Sequence, residues 1–166
     1  MANGMNGGAG TRKICYGLYA LYAGGLLVSL GDLWGIAACT ATLTLAIILS
    51  YVMRRKARGT LYESHFQWLI RTFWIVGGVY LPIVTVAYSI VFFAMADMTP
   101  VYQAMEDGAA DSLQLTQLLF ESNAKLLYNL NLAFGLPFVL WWLWRCWRGF
   151  RLLKRNEPVP DVLRWW

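Results

Sequence analysis

Four long apolar segments alternate with polar segments along the chain. They cover about residues 14–30, 33–53, 73–95 and 126–144, and acidic residues occur only at their edges. Each is close to the roughly 20 residues that a helix needs to cross the hydrocarbon core of a bilayer. Backbone groups in lipid must be paired within their own helix, and no alternating pattern favours a barrel. The pattern therefore predicts an all-α, polytopic membrane protein with four transmembrane helices.

Two of the connecting segments carry helix signals of their own. TLYESHFQWLI, residues 60–70, has the spacing of an amphipathic interfacial helix and leads into the third span. In the loop 97–125, Thr99 is a candidate N-cap with Pro100 at the first helical position, and a second helix is expected from Asp111 or Ser112. We expect a helical extracytoplasmic loop, which is either a cap over the bundle or a contact surface.

The domain organisation follows from these segments. Residues 1–13 are rich in glycine and asparagine without periodicity, so we predict a disordered cytoplasmic tail there. Residues 14–155 form the predicted four-helix membrane domain, and residues 156–166 form a cytoplasmic C-terminal tail. The first span is expected to be retained, because it turns directly into the second instead of ending at a cleavage site.

Composition supports a membrane environment. Hydrophobic residues make up 58% of the 166 residues and charged residues only 14%, against about 25% charged residues in soluble domains. A soluble protein of this size has too much surface to hide so many apolar side chains. The bilayer is therefore the expected solvent.

Basic residues are distributed asymmetrically between the predicted loops. Thirteen of the fourteen lie on one predicted side, and only Lys125 lies on the other. The positive-inside rule then predicts that both termini lie in the cytoplasm. Such a basic surface attracts anionic lipid headgroups by about 1 kcal/mol per cation. The net charge of +5 therefore requires no nucleic-acid partner.

Tryptophan follows the same asymmetry. Eight of the nine tryptophans lie in the cytoplasm or at its interface by this topology. Indole rings favour the headgroup layer, so an aromatic belt is the favoured interpretation. A stacking site for a flat ligand such as a quinone or haem is the alternative.

Chemistry-bearing residues are few and scattered. The only histidine is His65, and the three cysteines show no paired spacing. The sequence also lacks a phosphate-binding glycine loop, a nucleophile–base arrangement and paired acids within a span. We therefore expect no enzymatic activity, no metal and no cofactor. Ionisable groups at membrane depth are missing too, which argues against a transporter acting alone.

Residues 64–74, SHFQWLIRTFW, are predicted to form a structural collar. Two stripes run along the helix that contains it. The first has spacings of 4, 4 and 3 and consists of Glu63, Gln67, Arg71 and Trp74. The second consists of His65, Trp68 and Thr72. We expect the helix to dock on the end of the fourth span or on a partner subunit, with Glu63 bound to an arginine. His65 is expected to make interfacial hydrogen bonds. The candidate interaction residues are Glu63, His65, Gln67, Trp68, Arg71, Trp74, Arg145 and Arg148.

Small residues predict a helix-packing face in the second span. Ala38, Thr42, Ala46 and Ser50 recur every four residues. This small-x-x-x-small spacing lets another helix approach closely, within the chain or between chains. Pro82 and Pro137 are expected to kink the third and fourth spans.

Two motifs carry a family resemblance. ARGTLYESHFQWLIRTFW and the ending WWLWRCWRGFRLLKRNEPVP resemble a family of small uncharacterised bacterial inner-membrane proteins. That family is distantly grouped with the four-helix subunit of the chloroplast inner-envelope protein-import complex. The similarity covers about residues 14–166. It implies a four-helix membrane fold but supplies no catalytic residues.

Three functions are compatible with these patterns. A non-enzymatic subunit or scaffold of a larger inner-membrane assembly, bound to other membrane subunits, is favoured. A transport or protein-translocation component is the second, and it requires a continuous polar path. An accessory subunit of a quinone- or cofactor-bearing redox complex is the third, and it requires a bound chromophore.

Overall fold

The computed structural model describes residues 4–28, 33–108 and 111–160, and within these ranges the regular elements are all helices. Three helices are long and apolar enough to cross a membrane, namely Ala37–Lys56, Leu61–Met95 and Ala124–Lys154. Residues 14–28 of the predicted first span lie within a further helix, and its last residues, 29–30, fall outside the described ranges. Its crossing of the membrane therefore stays a prediction.

Eight α-helices follow one another along the described chain. They are α1 (Gly4–Val28), α2 (Leu33–Lys56), α3 (Leu61–Ile75), α4 (Leu81–Met95), α5 (Thr99–Glu106), α6 (Ser112–Ser122), α7 (Ala124–Leu130) and α8 (Leu136–Lys154). Helix α1 begins at Gly4, so residues 4–13 are helical where the sequence predicted disorder. This helix therefore starts ten residues before the apolar span that it contains.

A π-helical turn precedes each predicted kink. Val76–Tyr80 joins α3 to α4, and Asn131–Gly135 joins α7 to α8. Pro82 and Pro137 follow these turns at the second residue of the next α-helix. Proline lacks an N–H and crowds the carbonyl four residues earlier, so the wider turn accommodates it without ending the helix.

The chain forms two compact units, Met1–Val79 with Val139–Trp166, and Tyr80–Phe138. In the first unit, α1 packs against α2, and α3 packs against both. Its core contains several large aromatic side chains. The fully buried ones are Tyr19, Tyr22, Phe66, Trp68 and Trp142.

The second unit contains α4 to α7 and is organised by Asn123 between α6 and α7. The Asn123 amide donates to the carbonyls of Asp97 and Leu119, each at 3.0 Å, and its oxygen accepts from the Asp97 N–H at 2.7 Å. Asp111 caps α6 in a reciprocal capping box with Gln114. The N-cap residue of α5 is Met98. The predicted N-cap, Thr99, is instead the first residue of the helix.

The small residues of α2 differ in their burial. Ala46 and Ser50 are fully buried, Thr42 is half-buried and Ala38 is exposed. A Cβ atom built on Gly25 of α1 would lie 3.8 Å from the Thr42 methyl group. Within the chain, the part of the α2 small-residue face that packs closely therefore begins at Thr42, opposite Gly25 of α1.

We expect Ala46→Leu to lower the free energy of unfolding by about 2 kcal/mol, because added methylenes overfill a close contact. Leu45→Phe is the matched control, since Leu45 is 68% exposed; its effect should stay within about 0.5 kcal/mol. Unfolding in detergent, followed by circular dichroism, measures both. Equal losses would contradict the packing face.

Candidate functional site

One face of α3 holds a buried polar cluster. His65, Trp68 and Thr72 are at most 1% exposed. Their spacings of 3 and 4 residues place them on one side of the helix. Buried polar groups need hydrogen-bond partners, so their surroundings define what this face does.

Two of these residues, Trp68 and Thr72, form a closed set of contacts with Arg145 of α8. Trp68 Nε1 donates to the Arg145 carbonyl at 3.2 Å, Arg145 Nε donates to Thr72 Oγ1 at 2.7 Å, and Thr72 Oγ1 donates to the Trp68 carbonyl at 2.7 Å. The Arg145 guanidinium lies 3.6 Å from the Trp68 ring centroid. We call Trp68, Thr72 and Arg145 the clamp. It combines cation–π stacking with directional hydrogen bonds in a buried site.

His65 bridges α1 to the segment after α8. Its Nε2 lies 3.0 Å from the Glu157 carbonyl, and its Nδ1 lies 3.1 Å from the Tyr19 hydroxyl. A carbonyl can only accept, so Nε2 carries the proton and donates. In a neutral ring Nδ1 then accepts a hydrogen bond from the Tyr19 hydroxyl. Both ring nitrogens are engaged in joining parts of the fold.

The segment after α8 lies against the same face of α3. The Val159 N–H donates to Ser64 Oγ at 3.0 Å, and the Val159 side chain is 4% exposed. Ser64 Oγ in turn donates to the Leu61 carbonyl at 2.7 Å. The predicted cytoplasmic tail therefore begins with an anchored segment.

Helices α1 and α8 meet through aromatic contacts. Tyr22 stacks on Trp142 with a centroid separation of 5.6 Å, and Trp142 Nε1 donates to the Tyr22 carbonyl at 2.8 Å. Gly149 lies beside Tyr19, where a Cβ atom would come within 2.6 Å of two ring carbons. Glycine is therefore required at this approach.

The sequence predicted an arginine as the partner of Glu63, but the hydrogen bonds of Glu63 in the structure come from other residues. The Glu63 carboxylate accepts from the Gly59 N–H at 2.8 Å and from Gln67 at 3.5 Å. Within the described residues, the buried Nε of Arg71 has no hydrogen-bond partner. Glu63 lines a cavity of about 250 Å³ together with Tyr51 and three arginines at or just after the end of α2. These arginines are Arg54, Arg55 and Arg58. The α3–α8 contact is made by the clamp, not by Glu63.

The two remaining predicted interaction residues, Arg148 and Trp74, differ in their position relative to the clamp. Arg148 lies 5.7 Å from the Trp68 centroid and 5.5 Å from the Trp144 centroid. Trp74 is 54% exposed and donates to the Tyr51 hydroxyl at 2.9 Å, joining α3 to α2. Arg148 thus belongs to the cluster, whereas Trp74 lies outside it.

The described residues contain no group of three or more histidine, cysteine or acidic side chains that could hold a metal ion. Cys15, Cys39 and Cys146 are buried free thiols. The arrangement can stack aromatic rings, form hydrogen bonds and fix helices against one another.

Sequence reasoning missed Tyr19, Tyr22 and Gly149 as parts of this site. Nothing in their local spacing distinguishes them from other residues of an apolar helix. Trp142 was assigned to the aromatic belt, although its indole N–H is bound inside the fold.

Comparison of the chain with models of protein families, with curated proteins and with solved structures finds no match. The family resemblance of the two sequence motifs therefore stays a prediction. The geometry of the cluster and the apolar helices carry the functional argument.

Proposed function

We propose that this chain is a non-enzymatic, multi-pass scaffold subunit of a larger assembly in the bacterial inner membrane. The observation that carries the proposal is the engagement of the buried polar cluster within the chain. Both nitrogens of His65 hold α1 and the segment after α8, while Arg145 holds α3. A histidine used in this way is a structural joint, which is what a scaffold requires.

The hydroxyls buried in the first unit support the same function. Ser50 donates to the Ala46 carbonyl at 2.7 Å, and Thr72 donates to the Trp68 carbonyl at 2.7 Å. These groups satisfy the backbone of their own helices, as expected for a packed helical core. A translocation path would instead need polar groups that face a continuous cavity.

Large exposed apolar side chains support placement in the membrane. On α4, Ile83, Val86, Ile90 and Phe93 are each at least 59% exposed, at helical spacing. Such a stripe in water would be an aggregation surface, whereas lipid or another membrane helix covers it without cost. The proposed topology has four spans, an interfacial start of α3, and both termini in the cytoplasm.

Cysteine labelling in intact cells tests the topology. Asp107→Cys should react with a membrane-impermeant maleimide from outside, and Arg155→Cys should react only after lysis. The native cysteines Cys15, Cys39 and Cys146 are buried, which keeps background labelling low. Labelling of position 107 only from the cytoplasmic side would overturn the topology.

The scaffold role is tested by purification in a mild detergent followed by mass spectrometry. We expect one or more membrane proteins at fixed stoichiometry, recovered reciprocally when the partner carries the tag. Deleting this chain should lower the abundance of those partners, while expression of an unrelated multi-pass protein should not restore it. Unchanged partners after deletion, or a purified chain without stoichiometric partners, would contradict the proposal.

A further inference from the structure

An apolar groove lies between α1 and α8 in the first unit. Its volume is about 390 Å³, within the roughly 300–1,000 Å³ of typical small-molecule sites. It is lined by Tyr19, Ala20, Ala23, Leu143, Cys146, Trp147 and Phe150. Trp147 is 55% exposed and Phe150 is 41% exposed, so the groove presents open aromatic surface.

One end of this groove is basic. Arg12 donates to the Tyr16 hydroxyl at 3.3 Å, and Tyr16 packs edge-on against Phe150 with a centroid separation of 5.4 Å. Arg151 lies 5.0 Å from the centroid of Trp147. Each of the two arginines is therefore at most one aromatic ring away from a lining residue of the groove.

The apolar lining and the two arginines together restrict which kind of ligand fits the groove. An apolar channel alone fits an acyl chain or a partner helix equally well. Two guanidinium groups held at one end by aromatic rings favour a ligand that is anionic at one end and apolar along its length. Aromatic and arginine side chains at one level also match the headgroup layer of a membrane.

We propose that this groove binds one anionic glycerophospholipid, with an acyl chain between α1 and α8 and its phosphate between Arg12 and Arg151. The inference rests on the proposed membrane placement and adds a specific ligand to it. The bound lipid would fill the groove beside Tyr19 and thereby support the His65 contact. A partner helix in the groove is the competing outcome.

Native mass spectrometry of the purified chain tests the proposal. The probes are phosphatidylglycerol and phosphatidylethanolamine, each titrated in mixed detergent micelles. We expect one phosphatidylglycerol to bind more tightly than phosphatidylethanolamine, and soluble glycerol phosphate not to compete. Arg12→Gln with Arg151→Gln should weaken phosphatidylglycerol binding by roughly fivefold for each cation removed.

Matched variants separate the groove from general attraction to basic surface. Arg54→Gln with Arg55→Gln removes two cations from the end of α2 and should leave the tight site unchanged. Ala23→Phe should fill the groove and abolish binding of both lipids, whereas Leu45→Phe on an exposed face should not. A thermal unfolding transition shows whether each variant is folded. If Ala23→Phe does not fold, the lipid affinity of the Arg12→Gln, Arg151→Gln double variant tests the site instead.

Equal weakening by the two arginine pairs would overturn the site, as would unchanged binding in a folded Ala23→Phe variant. A protein that copurifies in place of the lipid and is displaced by Ala23→Phe would identify the groove as a helix-docking surface instead. Failure of cysteine labelling to show membrane insertion would overturn the proposed function. Correct insertion without tight lipid binding would overturn only this inference.

Discussion

Replacing Arg145 by alanine is expected to lower the free energy of unfolding by about 3 kcal/mol. The side chain is fully buried, so the change removes a stacked cation, a charge-assisted hydrogen bond and the volume between α3 and α8. Hydrogen bonds of charged groups contribute roughly 1.5–3 kcal/mol, and desolvated cation–π contacts contribute up to about 2 kcal/mol. These terms overlap, so their sum is an upper bound.

Arg145→Lys should recover little of this loss. An ammonium group retains the charge but lacks the planar face that stacks on Trp68 and the Nε–H that reaches Thr72. Arg155→Ala is the matched control, because Arg155 is exposed; its effect should be within about 0.5 kcal/mol. Chemical unfolding in detergent, followed by tryptophan fluorescence, compares the three variants. Full rescue by lysine would show that charge alone, not the clamp geometry, stabilises the contact.

Gly149→Ala is expected to destabilise the protein by about 3 kcal/mol although it adds one methyl group. The new Cβ would overlap the Tyr19 ring, so Tyr19 must move away from His65. Overpacking of a well-packed site costs roughly 1–3 kcal/mol, and losing a buried hydrogen bond adds about 1 kcal/mol. The loss should appear in thermal unfolding of the purified protein.

Gly17→Ala provides the control on α1. No atom lies within 4 Å of a Cβ built there, so alanine should stabilise the helix by up to about 1 kcal/mol. In a Tyr19→Ala background, Gly149→Ala should cost much less, because the overlapping ring is gone and the two changes are coupled. If the two losses in free energy of unfolding are additive, the cost of Gly149→Ala does not come from overlap with the Tyr19 ring.

The helices themselves were largely predictable because apolar runs and helix signals act locally. Residues 61–75 illustrate this, since the spacing of His65, Trp68 and Thr72 already placed them on one face. The prolines at which the sequence predicts kinks, Pro82 and Pro137, directly follow the two π-helical turns. Residues 4–13 are helical although their glycine-rich composition favours disorder.

The contacts of the cluster were not predictable in the same way. The choice of Glu63 as the docking residue assumed that an acid among bases finds an arginine, yet the nearby Gly59 N–H supplies a local partner. Arg145 instead contacts the Thr72 hydroxyl and the Trp68 ring. Both partners are uncharged, so matching opposite charges along the sequence could not identify them. Tyr19 and Gly149 meet across 130 positions of sequence, so only the tertiary fold brings them together.

The anchored segment after α8 also determines when the first unit can be completed during synthesis. His65 and Ser64 are made 92 and 95 positions before the residues that they bind, Glu157 and Val159. Until those residues emerge from the ribosome, the polar face of α3 must remain hydrated or be covered by another protein. Contacts between such distant residues form slowly, so this face stays without its native partners for longer than α3 itself takes to form.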